Sequence, residues 1–215
     1  MKKVQDSFFH KAKQEGFAAR SVYKLEEIDR KRKLLKAGQR VLDLGCAPGS
    51  WLQYVAKRIG PKGVVVGVDL QRVELTLPEQ ARVIQADVYA LDPAALRAAA
   101  GSAGENASTF DVIVSDMAPK TTGIPSADAA RSADLALHAL VLAGQLLKPG
   151  GDLLVKIFQG SRLQEVRKAY ASTFGQVSLE KPAASRSESV EIFLLGRGFR
   201  APATAEQSGP NPEHA

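Results

Sequence analysis

The chain reads as an α/β protein, a mainly parallel seven-stranded sheet with helices on both faces. Three observations point there. Short runs rich in Val, Leu and Ile alternate with helical segments, the pattern of a parallel sheet buried on both faces. Gly45, Pro48 and Gly49 form a turn between the first apolar run and a helix, the arrangement that holds a nucleoside-bearing ligand at the carboxyl edge of such a sheet. Acids also recur where the later runs end, at Asp69, Asp87 and Asp116.

The elements follow in order. Residues 20–35, RSVYKLEEIDRKRKLL, read as a helix capped by Ser21, with Val22, Leu25 and Ile28 on one face. Val41, Leu42 and Leu44 form a buried strand, and Ser50-Trp51-Leu52 opens the next helix. GVVVGVDL (63–70), ARVIQADV (81–88) and FDVIVSDMAP (110–119) are three further strands. Residues 97–109 read as a Gly/Ser/Ala surface connection. Residues 126–147 are Ala/Leu-rich with helical spacing and stop at Lys148-Pro149-Gly150-Gly151. GDLLVKIF (151–158) is a fifth strand, and 161–173 a helix. Strands at 176–180 and 190–196 close the domain, one of them antiparallel at or near the sheet edge. Residues 201–215, polar and Pro-containing, read as a disordered tail. One domain is expected: a basic helical segment at 1–40 continuous with a body at 41–200.

Composition narrows the partners. Residues 1–40 carry 12 Lys/Arg against 5 Asp/Glu, and the rest of the chain carries 17 against 18. All the excess positive charge precedes the first strand. That distribution suits a polyanion, because each phosphate neutralised releases counterions; a solvated helical face is the other reading of a run such as Lys31-Arg32-Lys33. No apolar run reaches the roughly 20 residues needed to span a bilayer. The first residues, MKKVQDSFFHKAKQEG, lack an apolar signal core, so the cytoplasm is the expected compartment. A single cysteine, Cys46, excludes an internal disulfide and a cysteine-based metal site. It reads as a small buried residue. His10, His138 and His214 are scattered without metal-ligand spacing.

The turn in VLDLGCAPGSW (41–51) departs from the pyrophosphate-binding pattern G-x-G-x-x-G, and its acid, Asp43, lies inside the strand. Both features favour a smaller, cationic ligand. Gly45 and Gly49 suit close backbone approach. An acid after the second strand, Asp69, is placed to accept ribose hydroxyls. Asp87, after the third, falls near an adenine edge. Asp116, after the fourth, falls near the positive end of the ligand. Any one of these acids alone is more often a cap; three at successive strand ends favour a ligand site. Trp51 either packs on that ligand or fills the core. The turn resembles the first motif of S-adenosylmethionine (SAM)-dependent methyltransferases.

Five segments, SVYKLEEID, VLDLGCAPGSW, SDMAP, LLVKIFQG and KPAASRSESVEIF, stand in that order. Together they resemble the FtsJ/RrmJ family of ribosomal RNA 2′-O-ribose methyltransferases, over about residues 7–199. The resemblance implies a Rossmann-like methyltransferase fold. It implies a Lys-Asp-Lys-Glu tetrad at Lys24, Asp116, Lys156 and Glu191. It implies SAM bound by Gly49, Trp51, Asp69, Asp87 and Asp116, to which the turn adds Gly45; no metal is required. The implied substrate is a uridine of 23S rRNA in the A-loop of the large (50S) subunit, modified late in assembly by a monomeric enzyme.

The residue types suit that chemistry. A ribose 2′-hydroxyl must lose its proton as it attacks, so a base and groups that hold the reacting centres together are needed. A protonated lysine cannot be that base. Lys156 lies in an apolar strand, LLVKIF, where burial disfavours the charged form, and a buried lysine without a partner or a task is rare. Lys24 serves either the developing alkoxide or an adjacent phosphate. Glu191 and Asp116 orient the lysines. Two alternatives stand beside this reading: the same reaction on another RNA such as a tRNA, and a non-catalytic RNA-binding assembly factor. A protein or small-molecule methyltransferase accounts for the Gly turn but not for two lysines.

Overall fold

The structure, a computed structural model, describes residues 7–101, 110–185 and 189–201. Its elements in chain order are α1 (Ser7–Gln14), α2 (Val22–Arg32), β1 (Arg40–Leu44), α3 (Ser50–Ile59), β2 (Val64–Asp69), β3 (Ala81–Gln85), α4 (Pro93–Ala99), β4 (Phe110–Ser115), α5 (Pro125–Leu146), β5 (Leu147–Phe158), α6 (Leu163–Thr173), β6 (Phe174–Glu180) and β7 (Glu191–Phe199). The seven strands form one sheet in the order β3-β2-β1-β4-β5-β7-β6. β7 alone runs against its neighbours, inserted between β5 and the edge strand β6, which is the antiparallel strand expected near the edge.

Strand alternation divides the core in two. Leu42, Leu44, Val155 and Ile157 pack with α4, α5 and α6 on one face. Val41, Leu154, Phe193 and Leu195 pack with α1, α2 and α3 on the other. Asp43 and Lys156 alternate with the first set, so they share the α2/α3 face.

α2 is held on that face by polar contacts that sequence does not announce. Asp29, almost wholly buried, accepts from Leu35 N at 2.7 Å, the Tyr54 hydroxyl at 2.8 Å and Arg58 Nε at 2.8 Å. Trp51 Nε1 donates to the Ser21 carbonyl at 2.9 Å. The Trp51 bond fixes the start of α2 against the start of α3, and the Asp29 bonds tie the later part of α2 to Tyr54 and Arg58 further along α3.

Several boundaries shift. The helix expected at 20–35 ends at Arg32, because Lys33 turns left-handed with φ 56°. Ser21 makes no side-chain cap; its Oγ meets Ser50 Oγ at 3.1 Å. β3 stops at Gln85, and Asp87 instead caps a 3-10 turn at Val88–Ala90 through Tyr89 N. The surface connection begins later than expected, since 97–99 lie in α4, which Asp92 caps and Pro93 opens. The rest of that connection, 102–109, and the tail from 202 lie outside the described residues. So do residues 1–6 and Arg186–Glu188.

Candidate active site

The contiguous parallel strands β3, β2, β1, β4 and β5 end along one edge of the sheet, and β7 begins there. Lys156 is two residues from the end of β5, Asp116 follows β4 directly, and Glu191 opens β7. Because β7 is antiparallel, its first residue arrives where the parallel strands finish. Phe158 pairs with Glu191, and Lys156 with Phe193. Lys24, in the first turn of α2, closes the group from above the sheet.

The tetrad is assembled. Lys24 Nζ lies 2.8 Å from Glu191 Oε2, and Lys156 Nζ lies 3.7 Å from Glu191 Oε1 and 3.1 Å from Asp116 Oδ1. Lys156 also donates to the Asp116 carbonyl at 2.6 Å, and Ser189 Oγ to Glu191 Oε2 at 3.0 Å. Two lysines and two carboxylates thus meet in a recess where the Lys156 side chain is 5 % exposed. Burial pushes the Glu191 carboxyl up, but the Lys24 hydrogen bond and the charges of Lys24 and Lys156 outweigh it, holding the group below the usual glutamate value. Lys24 is also buried.

Beside the tetrad opens a cavity of about 570 Å³ lined by Gly45, Asp69, Asp87, Asp116, Tyr89 and Met117, among others. Three acids on one wall fit a positively charged nucleoside ligand. Asp69 accepts from Ala47 N at 2.9 Å and Gln71 N at 2.8 Å, and Asp87 from Tyr89 N at 3.0 Å. Each therefore shapes a turn and lines the cavity at once. Gly45 and Gly49 have φ of 78° and 112°. A Cβ at Gly45 would meet Met117 Cγ at 2.7 Å, and at Gly49 Leu75 Cδ1 at 2.7 Å. Their demand for glycine therefore comes from backbone conformation and protein neighbours. Gly49 and Trp51 are not among that cavity's lining residues. The Trp51 ring is in the core, stacked on Phe193 with centroids 5.9 Å apart. Cys46 is buried, and burial first, with Asp43 and Asp69 adding, pushes its thiol up.

A second cavity of about 760 Å³ adjoins Lys24 and Glu191 and includes Arg20, Ser21, Thr121, Asp128, Phe158, Gln159 and Val190 in its walls. Asp128 accepts from Thr122 N and Oγ1, both at 2.8 Å, and ties down the loop before α5. No motif in the sequence singles out most of these wall residues. Phe158 and Gln159 nonetheless stand in LLVKIFQG, just after Lys156.

An acid-lined pocket fit for a cationic nucleoside meets a Lys-Asp-Lys-Glu recess at the carboxyl edge of this sheet, which defines a SAM-dependent methyltransferase of Rossmann-like fold. Sequence comparison agrees: a family model described as FtsJ-like methyltransferase matches residues 17–199, and the chain belongs to that family. A protein of Syntrophobacter fumaroxidans named Ribosomal RNA large subunit methyltransferase E is 48% identical over 197 residues, covering 92% of this chain and 97% of its own. One of the same name from Oleidesulfovibrio alaskensis is 46% identical, covering 97% and 99%. Among solved structures, a ribosomal RNA methyltransferase, putative, from Plasmodium falciparum superimposes with TM-score 0.75 at 26% identity, over 86% of this chain and 100% of that one. Fibrillarin from Aeropyrum pernix, solved with bound SAM, shares the fold at TM-score 0.57 and 17% identity, over 82% and 76%.

Proposed function

We propose that the chain transfers the methyl group of SAM to a ribose 2′-hydroxyl of 23S rRNA, at a uridine of the A-loop, late in large-subunit assembly. The observation that carries this reading is the Lys24–Glu191–Lys156–Asp116 cluster at the junction of two cavities. One cavity suits the cofactor and the other the acceptor. The relatives' shared name supports the large-subunit RNA as substrate. A non-catalytic assembly factor has no need of two buried lysines held by two carboxylates.

Asp69, Asp87 and Asp116 would hold the cofactor, with Gly45, Gly49 and the Trp51 backbone shaping its turn. When bound, SAM supplies a methyl group on a positively charged sulfur. Lys156 Nζ, as the free amine, accepts the 2′-hydroxyl proton while the oxygen attacks the methyl carbon. The O–H and S–CH₃ bonds break and the O–CH₃ bond forms. The ammonium left on Lys156 is stabilised by Asp116 and Glu191 and later loses its proton to water. Lys24, bridged to Lys156 through Glu191, places positive charge beside the developing alkoxide or the adjacent phosphate. No step uses a metal. The enzyme acts as a monomer in the cytoplasm.

Lys156→Ala is expected to lower methylation of large subunits by about 10²–10⁴-fold while SAM binding, read by calorimetry, survives. Near-normal turnover in that variant removes Lys156 as the base. Running the assay in parallel on tRNA, with the modified nucleotide mapped, decides between the two RNA substrates.

A further inference from the structure

The acceptor cavity is recessed. Lys24 and Glu191 line it, and Lys156, 3.7 Å behind Glu191, is only 5 % exposed; a space of about 760 Å³ admits a nucleotide but not a helix. A target ribose can therefore reach Lys156 only if its nucleotide leaves the stack. The base must then go somewhere, and its cavity has one aromatic wall. Phe158 follows Lys156 by two residues on β5, so both project from the same face of the strand. Lys156 is buried, whereas Phe158 is partly exposed and lines the cavity. Val190, half exposed, stands on the lip.

The polar walls are nearly all committed. Arg20 donates to the Ala184 carbonyl, Ser21 meets Ser50, and Lys24 and Ser189 hold Glu191. Asp128 holds Thr122 and Gly123. Among the described residues lining this cavity, the polar side chains without such a partner are Thr121 and Gln159. Gln159 is exposed, and its backbone N–H is tied to the Val190 carbonyl at 2.9 Å. That bond fixes the carboxamide's root beside the lip. A carboxamide offers donor and acceptor together, which matches the alternating acceptor and donor edge of a uracil.

We propose that this cavity takes the acceptor nucleotide with its base swung out of the RNA stack, the Phe158 ring stacking on that base and the Gln159 carboxamide meeting its Watson–Crick edge. The inference rests on the 2′-hydroxyl reading above and adds two positioning residues to it.

The test uses the full chain and large subunits isolated from cells lacking this enzyme. Phe158→Leu should lower kcat/KM for the subunit by about 10- to 100-fold, the cost of removing one base–aromatic stack. SAM affinity should stay within about twofold, and Phe158→Tyr should restore most of the activity. Gln159→Glu, which offers acceptors only, loses the donor half of that contact and should lower kcat/KM for the subunit with SAM affinity unchanged. Melting temperatures confirm that the variants are folded. Full activity in Phe158→Leu or in Gln159→Glu overturns the proposal. Failure of the wild-type chain to place a methyl on any 2′-hydroxyl overturns the underlying reading instead.

Discussion

Asp43 lies in β1 with its side chain wholly buried and neither carboxylate oxygen hydrogen bonded among the described residues. Burial, then the charges of Asp116 and Asp69, push its carboxyl well above the usual aspartate value. The sign of the consequence is fixed by linkage. A carboxyl that binds its proton more tightly when folded favours the folded state fully at low pH. That favour is lost as pH rises from the ordinary aspartate range through the folded value. Asp43→Asn removes the titration while keeping the shape. Its melting temperature, relative to the wild type and without cofactor, should therefore rise more at pH 8 than at pH 5. A difference that does not change between those pH values shows that the residue does not titrate across this range. Asp69 and Asp116, whose charges raise the Asp43 carboxyl, also line the cavity of about 570 Å³. At this scale the sequence was a fair guide to the acids, whose positions at strand ends are visible as residue types. It left open whether Trp51 faces a ligand or the core, and it placed Lys24 through the motif rather than through its burial. Which way a ring faces and how deep a lysine lies depend on partners distant in the chain, Phe193 and Glu191.

α2 does three jobs along its length. Its first turn supplies Lys24 to the tetrad, its middle carries Asp29 into the core, and its last turn locks onto the edge strand. There Lys31 and Arg32 both pair with Glu180 of β6, which is 3 % exposed. The run Lys31-Arg32-Lys33 is thus not a uniform face for a polyanion, as sequence allowed; two of its three charges are engaged in the fold. Burial pushes the Glu180 carboxyl up, but hydrogen bonds from Lys31, Arg32 and Ser178 hold it below the usual value of 4.5. Arg32→Gln should cost about 1–3 kcal/mol at pH 7, the range for a buried polar group left short of a partner. The gap from wild type should close as pH falls below that value, because stability from a depressed carboxylate is lost as it protonates. Denaturant melts at pH 7 and pH 4 check both statements. Element boundaries show where pattern reading loses its grip. The apolar spacing of α2 marks its place correctly, but its end at a left-handed lysine carries no glycine to mark it. α4 has its signal in Asp92-Pro93, a cap followed by a first-turn proline. Its short apolar face is hidden within an alanine-rich stretch, so periodicity alone does not reveal it.

Across the whole molecule, the basic segment stretches from one end of the sheet to the other. Lys24 lies at the cavity end of α2, and Lys33 is nine residues on, about 13 Å further along the helix axis. Lys36 lines a separate polar pocket with Lys148 and Arg197, beside Gly150 and Gly151 near the opposite sheet edge. Lys33 and Lys36 are exposed, and no salt bridge engages them among the described residues. Their charge therefore has no evident work inside the fold. An RNA that reaches both the acceptor cavity and these lysines must run down the α2 side of the domain. Each lysine–phosphate pair removed should lower the slope of log K against log salt by about 0.7–0.9. Lys33→Gln with Lys36→Gln should then reduce that slope by about 1.4–1.8 for large-subunit RNA, and leave kcat at saturating RNA unchanged. Lys13→Gln, on α1, supplies the comparison, with the change expected of a single pair. Binding titrations between about 50 and 300 mM salt separate the outcomes. An unaltered slope in the double variant would confine the RNA to the cavity end of the domain, with α1 and Lys24 as its electrostatic footing.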